Sequence, residues 1–161
     1  MKQKTPDHSQ LQQDKGWICP GPSRTDPSSV RTIRVVLAHR HQAFRLGLCA
    51  QLDGERDLQV VGQADTVDEM LSEARRTRAH AVLMESGLSN GLEPLGYKTL
   101  THILPSIRII SLAKEMNAEA FHNAVKGGVQ GYLPENAGRI ELIRAIRTVA
   151  KGGTYFVLTS S

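Results

Sequence analysis

The chain has 161 residues, of which 40% are hydrophobic and 22% charged, and this fits one globular domain with an additional tail and excludes two full domains. No apolar run approaches the roughly 18 residues that a membrane helix needs, and the N-terminus lacks the apolar stretch of a secretory signal. The two cysteines are too few for a disulfide framework or a structural zinc cluster, and a net charge of +4 suits a nucleic-acid partner without requiring one. We therefore expect a cytoplasmic protein without a membrane partner.

The N-terminal residues differ in composition from the rest of the chain. Four of the seven prolines fall there, among Gln, Ser and Lys. Such a stretch buries too little apolar surface to offset its ordering entropy. It therefore predicts a disordered extension over residues 1–31, with docking of a segment around Trp17 and Ile18 on a partner as the less favoured alternative.

Five strand–helix units follow in strict alternation. Short β-branched or apolar runs predict strands, in chain order, at residues 33–37, 58–61, 81–84, 107–112 and 131–133. Apolar residues at helical spacing predict a helix after each strand, marked in turn by Phe44, Leu48 and Leu52, by Met70, Leu71 and Ala74, by the stretch 95–104, by Ala118, Phe121 and Val125, and by Leu142, Ile146 and Val149. The second helix opens on Thr66 and Glu69, the spacing of a capping box.

This alternation predicts an α/β fold, because parallel strands joined by right-handed crossovers place helices on both faces of the sheet. We expect a doubly wound five-stranded parallel sheet over residues 32–155, with residues 156–161 as a tail or the start of a linker. In such sheets, functional residues lie at the carboxyl ends of the strands. The residues at those ends are His39, Arg40, Glu85, Ala113 and Glu135.

Several sequence blocks resemble the receiver domains of bacterial two-component response regulators, in the NarL/FixJ branch of transcription regulators. The matching blocks are Ile33–Ala38 before His41-Gln42, Val60–Ala64, Val82–Met84, Gly131–Leu133, and Ala145–Arg147 with Gly152-Gly153. The resemblance covers about residues 32 to 155. It implies the flavodoxin-like (βα)5 receiver fold and a switch-like aromatic residue at Tyr132.

The same resemblance implies a phosphoacceptor pocket whose chemical groups are missing here. Receivers hold Mg²⁺ with acidic residues after the first strand, phosphorylate an aspartate that ends the third, and use a hydroxyl residue and a lysine after the fourth and fifth. This sequence has His39 and Arg40, Glu85, Ala113 and Glu135 at those positions, and no aspartate follows Asp68. A guanidinium repels the Mg²⁺ that carboxylates hold, and the transferring phosphoryl group then lacks its stabilising charges. We predict a degenerate (pseudo-receiver) pocket with no catalytic residue, metal or cofactor, in a protein that is not an enzyme.

Two alternatives concern the pocket itself. Glu85 either imitates a phosphorylated aspartate or pairs with Arg40, and the absence of a hydroxyl at Ala113 favours the pair. We expect Arg40 to bond to Glu85, Glu135 or both, with His39 nearby. The run His39-Arg40-His41 also resembles a metal site, but it lacks a third ligand and this interpretation is disfavoured.

Three other signals receive structural interpretations. The basic run Arg75-Arg76-Thr77-Arg78 ends a predicted helix, where cations suit the dipole, so a solvated helix end is favoured over a nucleic-acid patch. The glycines of residues 127–131 join a helix to a strand, the wrong order for a phosphate-binding loop. Cys49 follows Leu48 in the first helix and is interpreted as a buried small hydrophobe.

The resemblance favours a phosphorylation-independent receiver domain of a NarL/FixJ-like transcription regulator, acting by homodimerisation and protein contacts. In that family DNA is bound by a helix-turn-helix domain, which we do not find in this chain. Ile140 and Ile143 extend the apolar surface of the last helix and are the candidate dimer face. The alternatives are a stand-alone adaptor that binds a regulatory protein and a sensor that binds a small ligand. An enzyme such as a flavin-binding protein is least favoured, because no phosphate loop precedes a helix.

Overall fold

The computed structural model describes residues 31–89 and 95–158. The predictions for residues 1–30, which include Trp17 and Ile18, lie outside the described residues. Within the described ranges, no helix is long and apolar enough to cross a bilayer.

The described residues form one parallel sheet flanked by helices. Its strands are β1 (Ile33–Ala38), β2 (Leu58–Ala64), β3 (Ala81–Glu85), β4 (Arg108–Ala113), β5 (Gly131–Pro134) and β6 (Tyr155–Phe156). Their spatial order is β2-β1-β3-β4-β5-β6, and every neighbouring pair is parallel. The helices are α1 (Gln42–Leu52), α2 (Val67–Thr77), α3 (Leu95–Ile103), α4 (Ala118–Lys126) and α5 (Arg139–Ala150), with a short 3-10 turn at Ser86–Ser89.

The prediction of five strands is wrong, because the sheet has a sixth strand, β6. After α5 the chain turns at Gly152, whose φ of +98° suits glycine, and returns alongside β5. The Tyr155 N–H donates to the Gln130 carbonyl and the Val157 N–H donates to the Tyr132 carbonyl. These bonds satisfy an edge of β5 that would otherwise be open.

The doubly wound arrangement follows from side-chain alternation along each strand. Val35 and Leu37 of β1 pack in the layer that contains α1 and α5. Val36 and Ala38 point to the opposite face and pack in the layer that contains α2, α3 and α4. Each face of the sheet is therefore covered by helices, as the sequence pattern predicts.

The capping box of α2 is present in slightly altered form. The Thr66 hydroxyl accepts a hydrogen bond from the Glu69 N–H at 3.1 Å. The Glu69 carboxylate reaches back to the N–H of Asp65, at 3.1 Å, instead of that of Thr66. Two backbone donors at the start of the helix are satisfied in this way.

One of the two residues of the candidate dimer face belongs to the core. Ile143 is only 5% exposed and packs in the layer between the sheet and α5. Ile140 is 70% exposed. The expectation that both residues extend an exposed apolar surface is therefore wrong for Ile143, which lies three residues along the helix and faces inward.

Candidate functional site

The candidate site lies at the carboxyl edge of the sheet, where three strands deliver charged side chains. His39 and Arg40 follow β1, Glu85 ends β3 and Glu135 follows β5. Because β1 and β3 are neighbours, Arg40 and Glu85 meet directly. Ala113 ends β4, which lies between β3 and β5, and its carbonyl accepts a 2.8 Å hydrogen bond from the Glu135 N–H.

The Arg40 guanidinium forms a two-pronged ion pair with Glu85. Its Nε and Nη2 donate to Glu85 Oε2 at 3.1 and 2.6 Å, and the Arg40 backbone N–H donates to Oε1 at 3.0 Å. The Glu85 side chain is 5% exposed and the Arg40 side chain 52% exposed. The guanidinium therefore covers a buried carboxylate from the solvent side. Gly87 leaves room for it, because a Cβ there would stand 3.3 Å from Arg40 Nη2.

Glu135 pairs with His39 and not with Arg40. His39 Nε2 and Glu135 Oε2 are 3.0 Å apart, and the His41 backbone N–H donates to His39 Nδ1 at 3.0 Å. Because a backbone N–H only donates, Nδ1 must accept, so the ring proton resides on Nε2 and is donated to Glu135. The imidazole is 2% exposed and stacks on Phe44, with ring centroids 4.2 Å apart. Of the two partners expected for Arg40, Glu85 is the one to which it bonds.

Arg45 supports this site and was missed by the sequence analysis. It lies on α1 and is 6% exposed. Its Nη1 donates to the His39 carbonyl, and its Nε donates to Gln63 Oε1 at 2.9 Å. The signal in the sequence is its position three residues before Leu48, on the apolar face of the helix. A cation at such a position needs internal acceptors, and the end of β1 supplies one.

The polar groups of the site pair with one another, which bears on whether the site could hold a metal ion. Ligand atoms of His39, Glu85 and Glu135 all lie within 4.8 Å of one another, so the third metal ligand missing from the run of residues 39–41 is present in space. However, Arg40 already occupies Glu85, and the His39 proton points at Glu135. An additional divalent cation would meet a guanidinium where the family has carboxylate ligands. These residues therefore do not fit the Mg²⁺ that the family implies.

Tyr132 lies beneath the site on β5. It is 1% exposed, and its ring meets Phe121 edge-on with centroids 5.4 Å apart. Phe121 in turn meets Phe156 of β6 edge-on at 5.7 Å. The residue that the resemblance implies as a switch therefore has an inward orientation in a packed aromatic group that extends to the sixth strand.

The ion pair predicts a specific response to acid. Burial by itself raises the pKa of Glu85, but the hydrogen bonds from the Arg40 side chain and backbone and the charge of Arg40 outweigh it, so that this pKa is lowered. A carboxyl with a lowered pKa stabilises the fold above its unfolded pKa of about 4.3, and the stabilisation is lost as pH falls through the folded value. We expect the melting temperature to fall steeply below about pH 4.

The contribution of Glu85 is isolated by comparison with Arg40→Gln. Asp57 contributes acid sensitivity of the same sign in both proteins, because a hydrogen bond from Arg147 lowers its pKa. Removal of the Arg40 partner should therefore flatten the acid limb of the profile without abolishing it. Differential scanning calorimetry between pH 3 and 7 measures both profiles. Parallel profiles in the two proteins would contradict this role of Glu85.

Comparisons with known proteins give a consistent result, although no family model matches the chain. The chain is similar to the response regulator GacA of Pseudomonas viridiflava, with 32% identity over 125 residues, 76% of this chain and 58% of GacA. It resembles the receiver domain of NarL from Mycobacterium tuberculosis, with a TM-score of 0.69, 21% identity, and coverage of 76% of this chain and 98% of that one. A structure of two RcsB dimers bound to two parallel DNAs matches with a TM-score of 0.70 and 17% identity, over 79% of this chain and 65% of that one.

The chain spans about 58% of the length of the GacA relative that it matches. The matched part corresponds in extent to the sheet and its helices, and the structural match extends over almost the whole NarL receiver domain. The similarity thus concerns a domain and not the whole length of the regulators.

Proposed function

Because the chain carries the receiver domain of a two-component response regulator, we propose that it serves a NarL/FixJ-type transcription regulator without being phosphorylated. The observation that carries this proposal is the ion pair between Arg40 and Glu85. Both oxygens of the carboxylate at the phosphoacceptor position accept hydrogen bonds from Arg40. That carboxylate is therefore not available as a nucleophile.

The other groups of the site support the same proposal. In receivers a metal ion and a lysine neutralise the acidic pocket; here Arg40 provides a fixed positive charge, and Glu135 stands where the lysine is expected. Ala113 has no hydroxyl that could form a hydrogen bond with a phosphoryl group. The pocket is thus held in one arrangement by its own side chains, and we infer a constitutive pseudo-receiver. Pairing of Glu85 with Arg40 also argues against Glu85 as an imitation of phosphoaspartate, since the carboxylate is already neutralised.

In this proposal the domain acts by forming a homodimer through α5. Ile140 is exposed at the start of this helix, next to a groove lined by Arg139, Ile143, Arg144 and Arg147. An exposed isoleucine surrounded by charged residues has the composition of a small interface with a polar rim. RcsB, a structural relative, is a dimer on DNA. We propose the corresponding arrangement for the regulator that contains this chain, with DNA bound by a domain outside it.

Sedimentation equilibrium tests the proposed dimer. We expect self-association at micromolar concentration that is the same with and without Mg²⁺ and beryllofluoride, because the pocket does not change state. Ile140→Glu should weaken the association by about tenfold or more, since a two-fold interface contains each substitution twice.

Val125→Glu is the matched control for this experiment. Val125 is 39% exposed and lies on α4, in the helical layer on the other face of the sheet. Its substitution should leave the association unchanged. A chain that stays monomeric at several hundred micromolar, or that dimerises only with beryllofluoride, would refute the proposal.

A further inference from the structure

Five arginines gather at the amino edge of the sheet, opposite the candidate site. We call Arg31, Arg34, Arg75, Arg78 and Arg108 the arginine edge. Arg34 lies near the start of β1 and Arg108 begins β4, with β3 between these two strands. Arg31 precedes β1, and Arg75 and Arg78 lie at the end of α2. The sequence run at the end of α2 is therefore only one part of a larger cationic surface.

Hydrogen bonds hold this surface together around His80. Arg34 Nη2 and Nε donate to the Arg78 carbonyl at 2.7 and 3.0 Å. The Arg34 N–H donates to His80 Nδ1 at 2.9 Å, and the Arg108 N–H donates to the His80 carbonyl at 3.0 Å. The backbones of β1, β4 and the end of α2 are thus fixed relative to one another.

The charge of the arginine edge is not neutralised by the described part of the chain. None of its five members forms an ion pair with a carboxylate of residues 31–89 or 95–158. Arg76 is not a member, because Glu73 binds it, and Glu55 and Asp57 are bound by arginines of α5. The positive potential of this surface acts on His80, because burial and the charges of Arg34 and Arg31 lower the pKa of its imidazole.

The backbone at Arg78 is a second, independent observation. Its φ is +54°, and among the described residues it is the only non-glycine with a positive φ. This helix-ending position is one that glycine or asparagine adopts with less steric strain. An arginine at this position adds positive charge at a conformational cost. Such a cost is typical of functional positions, and we interpret the charge of Arg78 as part of a binding surface.

Helix-dipole stabilisation does not account for the whole surface. It explains cations in the last turn of α2, such as Arg75, but Arg31, Arg34 and Arg108 lie on other elements. The surface also lacks an apolar centre: the exposed large hydrophobics of the described chain are Val125, Ile140 and Leu158, none of which belongs to these elements. A membrane surface or a typical protein interface would need such a centre.

We propose that the arginine edge binds the sugar-phosphate backbone of duplex DNA without sequence preference. Guanidinium groups match phosphate oxygens with two parallel hydrogen bonds, and all five cations are arginines. Arg34, whose Nε and Nη2 already donate to the Arg78 carbonyl, contributes positive charge to this surface. Contacts to phosphates alone position a protein on DNA and carry no base specificity. This goes beyond the proposed function, because it assigns a DNA contact to the receiver domain itself, and it holds whether or not the domain dimerises.

Fluorescence anisotropy tests the proposal with the 161-residue chain and two labelled duplexes of unrelated sequence. We expect both duplexes to bind equally, with a dissociation constant between about 1 and 100 μM, and the logarithm of affinity to fall with that of salt by about 0.9 per phosphate contact. Arg31→Gln/Arg75→Gln removes two exposed charges that form no helix cap. It should weaken binding by about tenfold or more at 50 mM salt and reduce the slope by about two.

Lys98→Gln/Lys114→Gln is the control, because it removes two exposed charges from α3 and from the carboxyl edge. It should bind DNA nearly as the unchanged chain does. Absence of binding at 50 mM salt, or equal weakening in both variants, would overturn the proposal. Equally tight binding of polyglutamate would reassign the surface to an acidic protein.

A second measurement locates the bound DNA. The negative phosphates should raise the pKa of His80, which NMR follows during a pH titration. An unchanged pKa of His80 would place the DNA elsewhere on the protein.

Discussion

Millimolar Mg²⁺ with acetyl phosphate should leave the mass of this protein unchanged. Phosphoryl transfer to Glu85 needs a free carboxylate and positive groups that stabilise the negative charge on the oxygens of the transferring phosphoryl group. In this chain the Glu85 carboxylate is buried under Arg40, and Glu135, paired with His39, stands where the family has a lysine. Intact-protein mass spectrometry measures the outcome directly. A stoichiometric phosphoryl adduct on Glu85 would contradict the proposed function.

A reversion variant gives this negative result a positive control. It carries the residue types that the resemblance implies at all five positions: His39→Asp, Arg40→Asp, Glu85→Asp, Ala113→Thr and Glu135→Lys. If these five residues alone close the pocket, the variant should gain both Mg²⁺ binding and a phosphoryl group. Circular dichroism establishes that it folds. A folded variant that binds Mg²⁺ and takes no phosphoryl group would show that another part of the chain blocks the reaction.

Arg40→Ala should lower the melting temperature by several degrees, and more than Glu135→Ala does. The first change leaves the buried Glu85 carboxylate with the backbone N–H of residue 40 as its remaining hydrogen-bond donor among the contacts described above. A buried charge that loses its partner destabilises a protein strongly. The second change leaves the pair of Arg40 and Glu85 intact and removes only the acceptor of the His39 proton.

Two further variants separate charge from geometry in this experiment. Arg40→Lys keeps the positive charge but loses the two-pronged bond, so its melting temperature should lie between those of the unchanged chain and Arg40→Ala. The double variant Arg40→Ala/Glu85→Ala should regain part of the loss, because no unpaired carboxylate remains. A Glu135→Ala protein that melts below Arg40→Ala would refute this assignment of the dominant ion pair.

The sequence predicts the five long strands and all five helices because their apolar patterns are regular. It does not predict β6, since Tyr155 and Phe156 make a strand of two residues, too short to show any alternation. Its existence depends on partners far along the chain, the carbonyls of Gln130 and Tyr132. Long-range backbone pairing of this kind leaves no local signal.

At the site, the sequence predicts which residues meet but only some of their pairings. Arg40 reaches Glu85 because β1 and β3 are neighbours in a sheet order that the fold class implies. That His39 takes Glu135 depends on the orientation of its ring, which the His41 N–H and the Phe44 ring fix. The burial of Arg45 likewise depends on an acceptor at the end of β1. Such choices among equally near partners are made by three-dimensional packing.

The sixth strand sets the direction of the last described residues. The end of α5 lies at the amino edge, but β6 runs parallel to β5 and carries the backbone back toward the edge that holds Glu135. The Val157 N–H donates to the Tyr132 carbonyl, so the backbone after α5 is fixed to β5. The last described residues therefore lie beside the strand that Glu135 follows, at the edge of the sheet that holds the pocket.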